Sequence, residues 1–342
     1  MFTPAGGFGQ RLVAEGLCWQ PVPMDRRSLN PLRELIFFWQ FVRLLRREKP
    51  DLIHSFTIKC AIYGSLAARL AGVPARINAV AGMGYVFISD SPKARLLRPL
   101  VRMLLKLALG GRNARLILQN PDDVVLFRQA RLVDPDHVRL IPGSGVDCER
   151  FSPAPEPVTD GRSRVVLPAR LLWDKGLAEY VEAARLLRAR GVPVDLLLAG
   201  DPDPGNPAAV PESVVRGWVA EGLLQWLGHV DDMPALFRSV QIVALPSYRE
   251  GLPKGLIEAG ASGCALVTTD VPGCREVVTH EVDGLLVPVK DGVALADAIE
   301  RLVRDPALRQ ALGVAAREKA VTEFDERIVI ARTLDVYAEL MR

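Results

Sequence analysis

Behind residue 164 the chain alternates short apolar runs with longer stretches whose apolar residues recur every three or four positions. "RVVLPAR" (164–170) reads as a buried strand, and "LAEYVEAARLLRAR" (177–190) as a helix stopped by Gly191. Strand "VDLLLAG" (194–200), helix "PESVVRGWVAEG" (211–222), strand-like "LQWLG" (224–228) and helix "DMPALFRSV" (232–240) follow. Strand "IVALP" (242–246), a helix opening near Pro253, strands "ALVTT" (265–269) and "GLLVP" (284–288), and three helical stretches complete this half. The front half keeps the rhythm: "CWQPVP" (18–23), a helix over 30–48, "DLIHSF" (51–56), a helix over 61–72 and "ARINAV" (75–80). A basic helix (92–110), "RLILQN" (115–120), a helix over 121–131 and "VRLIPGSGVD" (138–147) close it. Short apolar strands alternating with helices predict an α/β chain, its parallel sheets covered on both faces and its ligands beyond the strands' carboxyl ends.

Between the halves, "GSGVDCERFSPAPEPVTDGRSR" (143–164) carries prolines 153, 155 and 157 and little apolar content, and reads as a linker. The expected division is therefore a first domain over 1–150, a linker over 151–163, a second domain over 164–322 and a last helical stretch over 323–342. "GGFG" (6–9) follows no apolar strand, so a dinucleotide fingerprint is not supported there. The chain reads as opening near the end of its first strand–turn–helix unit.

The length of 342 residues, with 49% hydrophobic and 24% charged positions, suits two globular domains. No apolar run reaches the ~18 residues of a membrane span, and "MFTPAGGFGQRLVAEG" lacks the features of a signal peptide. The five cysteines (18, 60, 148, 264, 274) are scattered, which predicts free thiols in a reducing cytosol. The four histidines (54, 137, 229, 280) show no metal-ligand spacing. Residues 1–160 hold 22 Lys and Arg against 14 Asp and Glu, a net of +8, while the rest holds 21 against 26, a net of −5. Two domains with different partners follow from that asymmetry.

The stretch "SYREGLPKGLIEAGASGCALVTTD" (247–270) places Glu250 before, and Glu258 inside, a helix whose N-terminal end attracts anions. Pro253 suits the first turn and Gly251 allows backbone to approach a ligand. If the interval were helical throughout, the two carboxylates would stand about 12 Å apart. That spans a nucleoside diphosphate, with Glu258 accepting from ribose hydroxyls, Glu250 from a transferred sugar, and the diphosphate at the helix end. "ARLLWDKG" (169–176) adds Arg170 and Lys175, cations that offset the diphosphate charge without a metal. Taken singly, each of these residues also reads as an ordinary surface charge.

"RLLWDKG" and "YREGLPKGLIEAGASGCALVTTDVPGCREVV" together resemble the signatures of the family 4 retaining glycosyltransferases of the GT-B fold. "FTIKCAIYGSLAARLAGVPARINAVAGMGYVF" and "LQNPDD…IPGSGVDCERF" resemble that family's first domain. The resemblance covers nearly the whole chain, and leads to the branch that builds capsule, O-antigen and lipid-linked oligosaccharides, including undecaprenyl-diphosphate-sugar N-acetylgalactosaminyltransferases. It implies two Rossmann-like domains facing a central cleft, the first incomplete because its first strand, glycine-rich loop and first helix are missing. It implies that Arg170 and Lys175 contact the donor diphosphate, Glu250 the donor sugar and Glu258 the ribose, with Gly251 and Leu252 backbone beside the diphosphate. Gly200 and the Gly228–Val230 turn would hold the base, usually uracil, and residues 323–342 would cross back to the first domain. Relatives place a histidine after the strand matching "ARINAV"; here "AGMG" (81–84) stands there, and His54 lies near the end of another strand.

The implied activity is transfer of a hexosyl or N-acetylhexosaminyl group from a UDP-sugar to a polyprenyl-diphosphate-linked sugar or growing polysaccharide. No cofactor or metal is expected, and no enzyme nucleophile is evident. "SPKARLLRPLVRMLLKLALGGRNAR" (91–115), with seven Lys and Arg and no acid, and "LIFFWQFVRLLRREK" (35–49) suit an anionic membrane surface. The protein is then expected in the cytoplasm, peripheral at the inner membrane face, with no nucleic-acid partner. Two alternatives stay open: a degenerate membrane-associated protein that binds sugar nucleotides without turnover, and a UDP-sugar 2-epimerase of the same architecture. An NAD dehydrogenase is excluded by the missing glycine fingerprint.

Overall fold

The structure is a computed structural model that describes residues 1–4, 6–24, 30–80, 92–154 and 161–341. The chain forms two compact units, Met1–Leu140 with Leu334–Arg342, and Ile141–Thr333.

The first unit opens with strand β1 (Phe2–Thr3), helix α1 (Gly7–Ala14) and strand β2 (Gln20–Pro21), the two strands pairing in parallel. A short strand–helix–strand unit stands at the start of the chain, with "GGFG" (6–9) opening its helix. Two strand residues are too few to show an apolar pattern, and only pairing with β2 reveals them. Helix α2 (Pro31–Glu48), capped by the Asn30 side chain, leads to a four-stranded parallel sheet. Its order is β3 (Leu52–Phe56), β4 (Ala75–Val80), β5 (Ala114–Leu118) and β6 (Val138–Leu140). Helices α3 (Ile58–Ala71), α4 (Pro92–Leu109) and α5 (Pro121–Gln129) join these strands. All six residues of β4 are buried, as a central parallel strand requires. The "AGMG" segment lies outside the described residues.

The second unit contains β7 (Ser163–Pro168), α6 (Leu177–Ala189), β8 (Val194–Ala199), α7 (Glu212–Ala220), β9 (Gln225–Gly228), α8 (Met233–Arg238) and β10 (Ile242–Leu245). It continues with α9 (Lys254–Ala261), β11 (Ala265–Thr269), α10 (Cys274–Val277), β12 (Leu285–Val287), α11 (Gly292–Arg304) and α12 (Pro306–Glu323). The sheet runs β9-β8-β7-β10-β11-β12, all parallel, so the chain first winds outward from β7 and then reverses to β10. That reversal opens a crevice at the carboxyl ends of β7 and β10. Beneath it, the fully buried Tyr180 donates its phenol to the carbonyls of Val165 and Leu197, 3.0 Å each, tying α6 to two strands.

The expected end of the first domain at residue 150 moves back to Leu140. Prolines make 143–164 look like a linker, but Val146, Cys148 and Phe151 are buried in the second unit's core. Arg317 also donates to the carbonyls of Cys148 and Phe151, 2.8 and 2.6 Å. Residues 155–160 of the expected linker lie outside the described residues.

Helix α13 (Glu326–Leu340) carries the last residues of the first unit. Glu339 accepts from Arg115 and Arg139, 3.0 and 2.7 Å, and Tyr337 Oη lies 2.7 Å from His54 Nδ1. His54 stacks on Phe56, and its Nε2 is buried without a partner among the described residues. Burial pushes this imidazole down to about 4, so it is neutral at pH 7.

A histidine whose folded-state value is depressed leaves the unfolded chain binding more protons between pH ~6.5 and ~4. The stability it protects is complete above 6.5 and lost as pH falls through that window, by up to about 3 kcal/mol. Denaturant titrations at pH 7 and 4.5 should show this loss in the wild type and a flatter profile in His54→Gln.

Candidate active site

Two loops meet at the reversal point. The first leaves β7 through Arg170, makes a 3-10 turn over Trp173–Lys175 and enters α6 at Gly176. The second leaves β10 through Ser247–Gly251 and enters α9 behind Pro253. They touch at backbone level: Tyr248 N donates to Asp174 O at 2.9 Å, and a Cβ on Gly176 would lie 2.1 Å from Pro246 O. With φ +75° as well, only glycine fits position 176.

Lys175 Nζ reaches Glu250 Oε1 at 2.5 Å, and Ser247 Oγ donates to the same oxygen at 2.7 Å. Lys175 and Glu250 are mostly buried, 18% and 13% exposed. Glu250 is seated from behind as well, its backbone N donating to Pro272 O at 3.2 Å. Cys274 lies near this pair, but burial pushes its thiol up to about 12, which leaves it a poor nucleophile.

Arg170 sits differently. Its side chain is 62% exposed and pairs with Asp203 at 2.7 Å, in the "DPDPGNP" loop. The two loops of this edge are laced together, since Ala169 N donates to Ala199 O and Leu171 N to Asp201 O. Gly200 ends β8 with φ +155°, where a Cβ would meet Ala169 O at 1.9 Å. Its N donates to Gly228 O and its O accepts from the Trp226 indole, so Gly200 and the Gly228–Val230 turn do come together. In the same turn His229 pairs with Asp201 at 2.9 Å.

Glu258 lies inside α9, its side chain 15% exposed and 3.7 Å from Lys254. Burial raises its carboxyl above the usual range, against the opposing pull of Lys254 and Arg150. The stretch from Glu250 to Pro253 is not helical, so the 12 Å spacing, which assumed a helix throughout, does not apply. No side chain caps α9, and its N-terminal end follows directly on Gly251 and Leu252. Leu252 is itself approached by Gly143, where a Cβ would come within 2.8 Å.

The structure thus joins Lys175 to Glu250, and Gly200 to the Val230 turn, while Arg170 and Glu258 each have other partners. Ser247, Asp203 and Arg150 escaped the sequence reading. Ser247 opens the 247–270 stretch, three residues from Glu250, but a serine there looks like a turn residue. Among the described residues, no group of three or more His, Cys, Asp or Glu could hold a metal ion.

A doubly wound sheet with cation, carboxylate and helix terminus at its reversal point defines an α/β protein built to hold a nucleotide-like ligand. Residues 162–305 match the family described as "Glycosyl transferases group 1", and residues 1–143 match a "Glycosyl transferase 4-like domain". The D-inositol 3-phosphate glycosyltransferase of Saccharomonospora viridis is 30% identical over 344 residues, covering 93% of this chain and 77% of that protein. The N,N'-diacetylbacillosaminyl-diphospho-undecaprenol alpha-1,3-N-acetylgalactosaminyltransferase of Campylobacter jejuni is 29% identical over 353 residues, covering 100% of this chain and 91% of that protein. The crystal structure of Anabaena HepE with UDP and glucose is similar in fold, with TM-score 0.78 and 20% identity over 98% of this chain and 90% of that one. The chain belongs to the group 1 glycosyl transferases, and it is a glycosyltransferase with a two-domain GT-B fold of parallel sheets.

Gly200→Ala should destabilise the second unit by about 3 kcal/mol or more, because strain and a backbone clash coincide there. Urea titration would reveal the change; a midpoint within error of wild type would mean the strand end can relax.

Proposed function

We propose that the enzyme moves a hexosyl or N-acetylhexosaminyl group from a UDP-sugar to a polyprenyl-diphosphate-linked sugar or a growing polysaccharide. The Lys175–Glu250 pair at the carboxyl edge of β7 and β10 carries this reading. Names of the relatives support the acceptor class, since the Campylobacter protein acts on an undecaprenol-diphosphate sugar and an Escherichia coli relative is a diphosphoundecaprenol galactosyltransferase. UDP is the ligand of the similar HepE structure.

In the proposed complex Lys175 turns from Glu250 to the diphosphate, and Arg170 leaves Asp203 to join it. Gly251 and Leu252 present backbone at the α9 terminus to the same group. Glu250, released from Lys175, accepts from hydroxyls of the transferred sugar, and Glu258 from the ribose. Gly200 and Val230 line the base. The acceptor hydroxyl attacks the anomeric carbon as its bond to the diphosphate oxygen breaks. The electron pair leaves with UDP, whose phosphate takes the acceptor's proton on the same face, retaining configuration. Developing charge on the leaving group is met by Lys175 and Arg170, with no metal called for.

A peripheral position at the inner membrane face fits the first unit. Exposed Leu96, Leu100, Met103 and Leu107 form one stripe along α4, beside Arg102 and Lys106. Exposed Leu32, Leu35, Ile36 and Trp39 do the same on α2, and both helices pack against α3. The apolar stripes enter the lipid boundary while the cations meet anionic headgroups. No helix among the described residues is long and apolar enough to cross a membrane.

With a panel of UDP-sugars and polyprenyl-diphosphate sugars, UDP release should require the acceptor. Acceptor-independent sugar interconversion would point to an epimerase, and binding without turnover to a degenerate protein. Glu250→Gln should lower kcat by about 100-fold with UDP affinity kept within a few fold; wild-type turnover would remove Glu250 from the site. Leu100→Glu with Met103→Glu should abolish flotation with phosphatidylglycerol vesicles while UDP binding is unchanged. Undiminished flotation would place the membrane contact elsewhere.

A further inference from the structure

The segments that carry Lys175 and Glu250 are joined a second time, through a carboxylate that the proposed chemistry does not use. Glu179, in the first turn of α6, is 8% exposed. Its Oε1 accepts from the Tyr248 phenol at 2.8 Å, and its Oε2 is buried with no hydrogen-bond partner among the described residues. A buried carboxylate held by one neutral donor is an expensive way to fasten a helix, since an apolar residue of similar size would avoid the desolvation.

Its partner's position explains it. Tyr248 lies two residues before Glu250, as Glu179 lies four residues after Lys175. Tyr248 is held at three points: its N donates to Asp174 O, its phenol to Glu179, and Lys290 Nζ lies 5.0 Å from its ring centroid. Burial, and then the bond to Glu179, push the phenol well above its ordinary range, so the proton stays on Tyr248 and the bond keeps its direction. The 170–179 and 247–251 segments are therefore joined by two side-chain contacts, Lys175 with Glu250 and Glu179 with Tyr248.

From this arrangement we infer that Glu179 and Tyr248 are positioning residues that hold Glu250 in place when Lys175 leaves it for the donor diphosphate. The 247–251 loop is also held by backbone contacts, by Ser247 and by the Thr269 hydroxyl, which donates to Ser247 O, but once Lys175 turns away the Glu179–Tyr248 bond is the side-chain contact that still ties it to the segment carrying Lys175. With it, the loops stay together while Lys175 changes partner, and Glu250 is presented already oriented to the sugar. The catalytic part of this inference rests on the reading of Lys175 and Glu250 as donor-site residues; the structural part does not.

Three variants separate the outcomes. Tyr248→Phe and Glu179→Leu remove the bond, while Glu179→Gln keeps an acceptor for the phenol without the charge. Amide hydrogen exchange across 247–251 should quicken about tenfold in the first two, the loss of roughly one hydrogen bond, and stay near wild type in Glu179→Gln. In acceptor-dependent turnover, measured well below each variant's Tm, the first two should lose about tenfold in kcat with KM for the UDP-sugar changed less than threefold. Glu179→Gln should restore most of the rate, and Tyr248→Phe with Glu179→Leu should be no worse than either alone. Unchanged exchange at 247–251 would overturn the inference, as would additive losses or a fall in Tm with kcat intact. If the wild type exchanged as expected but neither bound UDP nor turned over, the functional reading would fail while the clamp stood.

Discussion

Everything at this site depends on two loops leaving adjacent parallel strands that wind in opposite directions. β7 and β10 are neighbours in the sheet but far apart in sequence, and the chain winds away from them in opposite directions. Their loops can meet only because residue 176 has no side chain where Pro246 O approaches. That backbone contact places a lysine and a glutamate, 75 residues apart in sequence, within 2.5 Å.

The pair is suited to exchange rather than to stability. Removing one partner from a mostly buried ion pair costs about 3–5 kcal/mol, yet the intact pair gains little over an apolar one. A ligand that offers an anion to Lys175 and hydroxyls to Glu250 satisfies both groups at once, so binding need not leave either charge unpaired. Arg170 and Asp203 repeat the arrangement at the exposed rim, where solvent weakens the pair and makes the arginine easier to recruit. Lys175 and Arg170 are thus each held on one of the protein's own carboxylates.

The two units divide these tasks chemically. The second is acidic in sum; the first is basic and leaves apolar stripes on α2 and α4 in solvent. In α4 the sequence shows apolar residues at every third or fourth place, and the structure sorts them. Leu105, Ala108 and Leu109 are buried in the first unit, whereas Leu96, Leu100, Met103 and Leu107 are exposed. Periodicity alone cannot distinguish a helix with one apolar face from one with two, because burial depends on what packs against each face.

Local pattern by itself determined the α/β class and the strands of the second unit, and it singled out Arg170, Lys175, Glu250 and Glu258 as candidates. Those signals are short-range: β-strand residues cluster, helical residues recur, and the Gly-Leu-Pro turn announces a helix start. What the tertiary structure decided was pairing. It gave Lys175 to Glu250 and Arg170 to Asp203, exposed the two-residue strand Phe2–Thr3, drew Val146, Cys148 and Phe151 into the second core, and joined Glu179 to Tyr248. Each of these joins residues distant in sequence, and sequence separation carries no trace of which strands lie side by side. Partner choice is fixed by strand order and by the few places where backbones can touch, and those exist only once the sheet has formed.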